Sequence, residues 1–136
     1  MADVKNSKRP DKRSVLIIAK RNEKTKKLTN LLVDFFSEIR FISVLEEIDM
    51  AVSSKSFTAI VVTDSLRVEL NKDILHNLKK RFPGAKILCL ADKISQKKEA
   101  AVRSAGPVFL GSYDHFFEFS EDILSAAVAS NKRKRS

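Results

Sequence analysis

The sequence predicts an α/β protein: a five-stranded parallel sheet in strand order 2-1-3-4-5, with helices on both faces. Short, continuous apolar runs alternate with segments whose apolar residues recur at helical spacing, and this alternation repeats five times between residues 14 and 130. Strands that alternate with helices along a chain form parallel sheets covered on both faces. The order 2-1-3-4-5 is one common arrangement of such a sheet.

The five strands are predicted from short apolar runs. They cover residues 14–19, 40–45, 59–62, 85–90 and 108–110. The first run, Ser-Val-Leu-Ile-Ile-Ala, has no polar residue after its serine. Such a continuous run is typical of a strand that is buried on both faces.

The helices are predicted from apolar residues three and four positions apart. The first helix, over 23–38, has Asn22 as its N-cap and Glu23 in its first turn. Its apolar face is formed by Leu28, Leu31, Leu32, Phe35, Phe36 and Ile39. Further helices are predicted over 46–54, 68–81, 95–105 and 120–130, and Gly106 and Pro107 end the fourth of these five helices.

Positive charge is concentrated at the two ends of the chain. The 136 residues carry a formal net charge of +9, of which residues 1–13 hold +3 and residues 131–136 hold +4. We therefore expect one domain over 14–130 between a disordered basic N-terminal tail, 1–13, and a basic C-terminal tail, 131–136. The tails are either simply solvated or make electrostatic contacts with nucleic acid, an acidic protein or an anionic surface.

Several classes of protein are disfavoured. No apolar run approaches the ~20 residues of a membrane span, and the single cysteine, Cys89, cannot form an internal disulfide, which favours a reducing, cytoplasmic location. His76 and His115 are far from each other and from Cys89, so no metal cluster is predicted. With three glycines, the chain lacks phosphate-binding glycine motifs, and no pair of groups stands out as general acid and base. We predict neither a cofactor nor an enzyme.

The candidate site is predicted at the carboxyl ends of the strands, where open α/β sheets bind ligands. The first strand leads to Lys20 and Arg21, and the third leads to Thr63 and Asp64. The loops after the fourth and fifth strands begin at Ala91 and Gly111. The topology therefore brings charged residues from the first and third strands to one edge of the sheet.

Over about residues 13–130 the chain resembles a response-regulator receiver domain. Residues 14–18 resemble the first strand of that family, and residues 57–62 resemble the strand that leads to its phosphorylated aspartate. Residues 100–110 resemble its junction between fourth helix and fifth strand. The resemblance implies the flavodoxin-like receiver fold and a role in two-component signalling.

The resemblance also implies that the phosphorylation site is degenerate. The acidic Mg²⁺-binding pair of receivers corresponds to Ala19 and Lys20, with Arg21 next, and their phosphoacceptor corresponds to Thr63. Their hydroxyl residue after the fourth strand corresponds to Ala91, and their lysine after the fifth strand corresponds to Ser112. Asp64 is the residue directly after the acceptor position. A one-residue shift would make Asp64 the acceptor, but it would also turn the side chains of the strand to the opposite face of the sheet. We therefore predict a non-catalytic pseudo-receiver; the alternative is a receiver that is phosphorylated on Asp64. Lys20 either replaces the metal by pairing with Asp64 or is a solvated loop charge.

Aromatic residues cluster near the fifth strand. Phe109 corresponds to the switch aromatic of receivers, and we expect it to be statically packed because Ala91 supplies no hydroxyl group. Four further aromatics are Tyr113, Phe116, Phe117 and Phe119. They form an exposed partner surface, or two or three of them pack under the last helix. Receivers use the fourth helix, fifth strand and fifth helix as a dimer or output face, so we expect a protein partner, with a second copy among the candidates.

Overall fold

Five parallel strands form one sheet in the order β2-β1-β3-β4-β5, which confirms the predicted fold class. The computed structural model describes residues 13–44, 57–64 and 69–135, with side chains as far as Ala127. The strands are β1 Ser14–Ile18, β2 Glu38–Ile42, β3 Ala59–Thr63, β4 Lys86–Leu90 and β5 Phe109–Gly111. Neighbouring strands pair in parallel throughout, for example Ile17 with Phe41 on one side and with Val61 on the other.

The described ranges contain five helices. They are α1 Glu23–Leu32, α2 Lys72–Arg81, α3 Gln96–Ser104, α4 Tyr113–Glu118 and α5 Ser120–Arg135. The predicted second helix, 46–54, lies outside the described residues. The predicted third, fourth and fifth helices therefore correspond to α2, α3 and α5.

The core lies on both faces of the sheet, as the continuous apolar strands predicted. On one face, Leu16 and Ile18 of β1 join a buried cluster that includes Ile74 of α2 and Val102 of α3. On the opposite face, Ile17 joins a cluster formed with side chains of the other helices: Leu28 of α1, Phe116 of α4 and Leu124 of α5. Because successive side chains of a strand point to opposite faces, β1 supplies both clusters.

The first helix is shorter than predicted. It ends at Leu32 instead of residue 38, and the backbone N–H groups of Ser37 and Glu38 donate to the carbonyl oxygen of Arg13 at 2.9 and 3.2 Å. These hydrogen bonds begin the pairing of β2 with β1, so the chain leaves the helix early. Phe36 still enters the core, from the connection between α1 and β2.

The remaining differences are shifted element ends and one additional helix. Strand β2 begins two residues earlier than predicted, and α4, a short helix capped by the Ser112 side chain, was not predicted at all. Helix α5 continues to Arg135, into the segment predicted as a tail, where lysine and arginine have good helix propensity and suit the helix C-terminus. The domain boundaries at 14 and 130 remain predictions. None of the helices in the described ranges is both long and apolar enough to span a bilayer.

Candidate functional site

A cleft of about 690 Å³ opens at the carboxyl ends of β1, β3 and β4, where the sequence predicted the site. Three of the residues predicted for the pocket or the phosphoacceptor position, Lys20, Thr63 and Asp64, lie in its wall. The full lining is Lys20, Asn22, Glu23, Lys24, Thr63, Asp64, Asp92, Lys93 and Tyr113. Lysines and carboxylates thus share one concave surface.

Asp64 is held by two partners. Its carboxylate oxygen Oδ1 accepts a hydrogen bond from the backbone N–H of Leu70 at 2.8 Å, and the Lys98 ammonium lies 3.4 Å from the same oxygen. Both side chains of this ion pair are 26% exposed. Lys98 also lies 3.7 Å from the carboxylate of Glu69, so α3 is tied to the residues that follow β3.

Of the two alternatives for Lys20, the structure agrees with the solvated loop charge and not with an ion pair to Asp64. The Lys20 side chain is exposed in the cleft, and no ion pair joins these two residues, both of which are described. The ammonium that reaches Asp64 belongs instead to Lys98, which is 34 positions further along the chain. Nothing in the local sequence signalled this contact, because it depends on how α3 packs beside β3.

Helix α1 begins at the edge of the cleft with a reciprocal cap. The Asn22 side chain accepts from the Thr25 backbone N–H at 2.9 Å, and the Thr25 hydroxyl oxygen accepts from the Asn22 backbone N–H at 2.8 Å. The Thr25 hydroxyl also donates to the Lys20 carbonyl oxygen at 2.9 Å. This arrangement confirms Asn22 as the N-cap and fixes the loop that carries Lys20.

A second charged pair crosses the cleft. The Lys24 ammonium of α1 bonds one oxygen of Asp92, and the other oxygen accepts from the Tyr113 backbone N–H at 3.1 Å. The hydrogen bond from Lys24 lowers the pKa of Asp92, and the same bond raises the pKa of Lys24. Burial raises the pKa of the Tyr113 phenol, and a hydrogen bond with the Thr63 side chain opposes that rise. The pair links α1, the loop after β4 and α4.

The other predicted pocket positions, Ala19, Arg21, Ala91 and Ser112, do not line the cleft. The backbone N–H groups of Ala19 and Ala91 extend the sheet, donating to the carbonyl oxygens of Ile42 and Gly111 at 3.1 and 2.9 Å. The Arg21 guanidinium lies over the Phe41 ring, 4.4 Å from its centroid. The Ser112 hydroxyl caps α4 by accepting from the His115 backbone N–H at 3.1 Å.

The aromatic residues near β5 divide between core and surface. Tyr113 and Phe116 are 8% and 0% exposed, so the prediction that they form an exposed partner surface is wrong. Helix α4 turns both rings towards the sheet, where they join the apolar cluster of α1 and α5. Phe119 is 43% exposed and Phe117 is half-buried.

Phe109 is packed between neighbouring rings. The centroid of its half-buried ring lies 5.8 Å from that of Phe116 and 5.8 Å from that of His115, with which it stacks. His115 in turn contacts Phe119 at 4.9 Å. Phe109, His115 and Phe119 therefore form a continuous aromatic row beside β5. No local sequence pattern predicted the place of His115 in this row.

The donor set of the cleft does not fit Mg²⁺. Mg²⁺ requires octahedral oxygen coordination. Among the described residues, no group of three or more acidic, histidine or cysteine side chains is placed to hold a metal. The Asp64 and Asp92 carboxylates each form an ion pair with a lysine ammonium. We therefore assign no chemistry at this site to a metal ion.

No protein-family model and no curated protein sequence matches this chain. Solved structures do match. The signal receiver domain of an HD domain-containing protein from Pseudomonas fluorescens has a TM-score of 0.69 at 12% identity, covering 90% of this chain and 93% of that one. A response regulator from Hahella chejuensis has a TM-score of 0.66 at 14% identity, covering 86% and 93%.

RcsB from Salmonella enterica serovar Typhimurium has a TM-score of 0.66 at 11% identity, covering 83% of this chain. This chain spans 66% of that RcsB chain, which is just under two thirds of its length. At such identities, the likeness concerns the fold. Together with the strand order and the site at the carboxyl edge of the sheet, it shows that this chain has the fold of response-regulator receiver domains.

Proposed function

We propose that the protein is a pseudo-receiver: a non-enzymatic cytoplasmic signalling or adaptor module that is not phosphorylated by the Mg²⁺-dependent reaction. The observation that supports this best is the engagement of Asp64 by the Lys98 ammonium and the Leu70 backbone N–H. Both contacts fall on one carboxylate oxygen, Oδ1, with the cation at 3.4 Å, so they hold the side chain in place and partly balance its charge.

The positions that resemble the metal-binding pair support the same proposal. Ala19 has no ligand atom in its side chain, and Lys20 brings a positive charge to the wall of the cleft. A lysine ammonium repels Mg²⁺ and supplies no oxygen. The same argument disfavours the alternative in which Asp64 is a working phosphoacceptor.

The direct test is exposure of the protein to acetyl phosphate and Mg²⁺, followed by intact-mass spectrometry. We expect no added phosphoryl group on the wild type. Lys98→Ala shows whether the ion pair alone blocks the reaction, and Asp64→Asn removes the acceptor. A phosphorylatable receiver in the same tube proves that the donor is active. A phosphoryl adduct on the wild type that Asp64→Asn abolishes would establish the phosphorylated-receiver alternative.

We propose that the module acts through protein contacts of the α3–β5–α5 face. This proposal is supported by apolar side chains that remain exposed along that side: Phe119 is 43% exposed and Val108, next to β5, is 49% exposed. The row formed by Phe109, His115 and Phe119 adds aromatic area, which is typical of protein interfaces.

The face is tested with a matched pair of surface variants. Phe119→Ser removes the exposed ring, whereas Val33→Ser changes a 55% exposed apolar residue at the end of α1, outside that face. Sedimentation velocity over a concentration series measures self-association, and capture from extract followed by mass spectrometry measures hetero-association. We expect Phe119→Ser alone to weaken association. Equal behaviour of the two variants would contradict the assignment of this face.

Nucleic acid binding through the basic tails is a second candidate. It is supported by the concentration of charge at residues 1–13 and 131–136, and by the RcsB structure, whose protein is bound to a promoter. Binding of this kind weakens steeply as salt rises. Loss of DNA binding on deleting residues 131–136 would favour this candidate, whereas binding that ignores salt and both tails would exclude it.

A further inference from the structure

The carboxylates that follow β3 and β4 in the cleft are already neutralised. Asp64 pairs with Lys98, and Asp92 pairs with Lys24. Each also accepts a backbone N–H, from Leu70 and Tyr113 respectively. These two acids are therefore compensated from within the protein, and their charge does not cancel that of other cations in the cleft.

Two further lysines line the same cleft without an acidic partner among the described residues. Lys20 follows β1 and Lys93 lies in the loop after β4, and both side chains are exposed. The remaining carboxylate in the wall is that of Glu23, at the exposed first turn of α1. The cleft thus presents two ammonium groups from different loops, with one exposed carboxylate at its edge.

Two hydroxyl side chains, which hydrogen-bond to each other, also line the cleft. Thr63 is buried and lines the cleft together with the Tyr113 phenol. Burial raises the pKa of that phenol, so it stays protonated near neutral pH. The N-terminus of α1 opens on the same space, and the partial positive charge of a helix N-terminus favours anions.

We propose that the cleft reversibly binds a small phosphate monoester, with its phosphate group held by Lys20 and Lys93. A phosphate monoester carries between one and two negative charges near pH 7. Two ammonium groups match this charge better than they would match the single negative charge of a carboxylate ligand. The volume of about 690 Å³ is within the range of small-molecule sites and leaves space for an organic group beyond the phosphate. The binding is non-covalent and requires no metal ion.

The inference rests on the part of the proposed function that excludes Mg²⁺ from the cleft, and it is independent of the protein-contact face. Isothermal titration calorimetry at constant ionic strength tests it with inorganic phosphate, adenosine monophosphate and adenosine, each in EDTA and in Mg²⁺. We expect both phosphate-bearing probes to bind equally in the two buffers and adenosine to give no signal. Stronger binding of the nucleotide supports the ester as the ligand. Binding of inorganic phosphate as strong as that of the nucleotide overturns the ester and assigns the site to the free ion.

The matched variants remove equal charge at two places. The double variant Lys20→Gln with Lys93→Gln is expected to lose at least about tenfold in affinity, since hydrogen bonds to charged groups are among the stronger ones. The control, Lys72→Gln with Lys80→Gln, changes two exposed lysines of α2 outside the cleft and is expected to bind as the wild type does. Thermal melts monitored by circular dichroism show that both variants are folded. Glu23→Gln is expected to bind more tightly, because it removes the carboxylate at the edge.

The outcomes separate this inference from the proposed function. Absence of binding in both buffers overturns the inference and leaves the pseudo-receiver proposal standing. Binding that requires Mg²⁺ overturns both. Equal losses in the two double variants also overturn the inference, because they show a general effect of net charge instead of a site.

Discussion

The central strands and the cleft at their carboxyl ends differ in how their side chains are stabilised. All five residues of β1 and of β3 are buried, and nearly all of them are apolar. The cleft above them is lined by lysines, carboxylates and hydroxyl groups that pair across α1, α3 and the loops. Burial of apolar surface stabilises the sheet strongly, whereas partly exposed ion pairs contribute little. Substitution of the charged residues in the cleft is therefore expected to leave the fold intact.

The largest effect is expected in the sheet. Ile17→Ala removes a fully buried side chain from β1 and leaves a cavity between the sheet and α1. We expect a loss of about 2–5 kcal/mol in the free energy of unfolding, measured by urea denaturation. Val33→Ala, at a 55% exposed position, is the control and should change stability by less than about 0.5 kcal/mol. Similar losses in both variants would show that burial does not decide stability here.

The cap at the edge of the cleft is expected to be next in size. Asn22→Ala removes the acceptor for the Thr25 N–H in the capping box of α1 and should cost about 1 kcal/mol. Asn30→Ala, an exposed change within the same helix, loses no cap and should be neutral or slightly stabilising because alanine has the higher helix propensity. Chemical denaturation of both variants makes the comparison, and an unchanged Asn22→Ala protein would mean that the box does not stabilise the helix.

The ion pair of the cleft is expected to contribute less. Lys98→Gln removes the ammonium next to Asp64, but the hydrogen bond from Leu70 remains, so the loss should be below about 1 kcal/mol. Added salt should reduce the difference from the wild type, because it screens the attraction. Lys97→Gln is the control on the same helix, at an exposed position without an ion pair to a described residue. A loss that does not depend on salt would point to packing of the lysine stem instead of charge.

The sheet was predictable because its signal is local. Strands β1, β3 and β4 end within one residue of their predicted bounds, since continuous apolar runs mark them without reference to distant residues. Cys89, in one of these runs, is buried, and burial raises the pKa of its thiol to about 12. Where a long-range contact sets the boundary the prediction failed: the pairing of Ser37 with Arg13 ends α1 six residues early.

The site was predictable in place but not in its contacts. Topology brings the ends of β1 and β3 together, so Lys20 and Asp64 do line one cleft. Which lysine reaches Asp64 depends on the position of α3, and no local pattern encodes that. The burial of Tyr113 and Phe116 depended on α4, for which the signal was Ser112 as an N-cap with Asp114 in the first turn.

The smallest effect is expected at the pair between Lys24 and Asp92, and its pH dependence identifies it. The pKa of Asp92 is lowered from its ordinary value of 3.8, mainly by the hydrogen bond from Lys24, so this stabilisation is present above pH 3.8 and is lost as pH falls through the lowered value. The pKa of Lys24 is raised from 10.5, mainly by the same bond, so its contribution is complete below pH 10.5 and is lost as pH rises through the raised value.

The free energies of unfolding of the wild type and of Lys24→Met, measured by urea denaturation, should therefore differ by a constant amount between these limits and converge beyond them. Lys26→Met, an exposed change on the same helix, should show no such convergence. A gap between wild type and Lys24→Met that persists in strong acid would mean that the lysine acts through its contact with the Tyr113 ring, 5.3 Å from its ammonium, and not through Asp92.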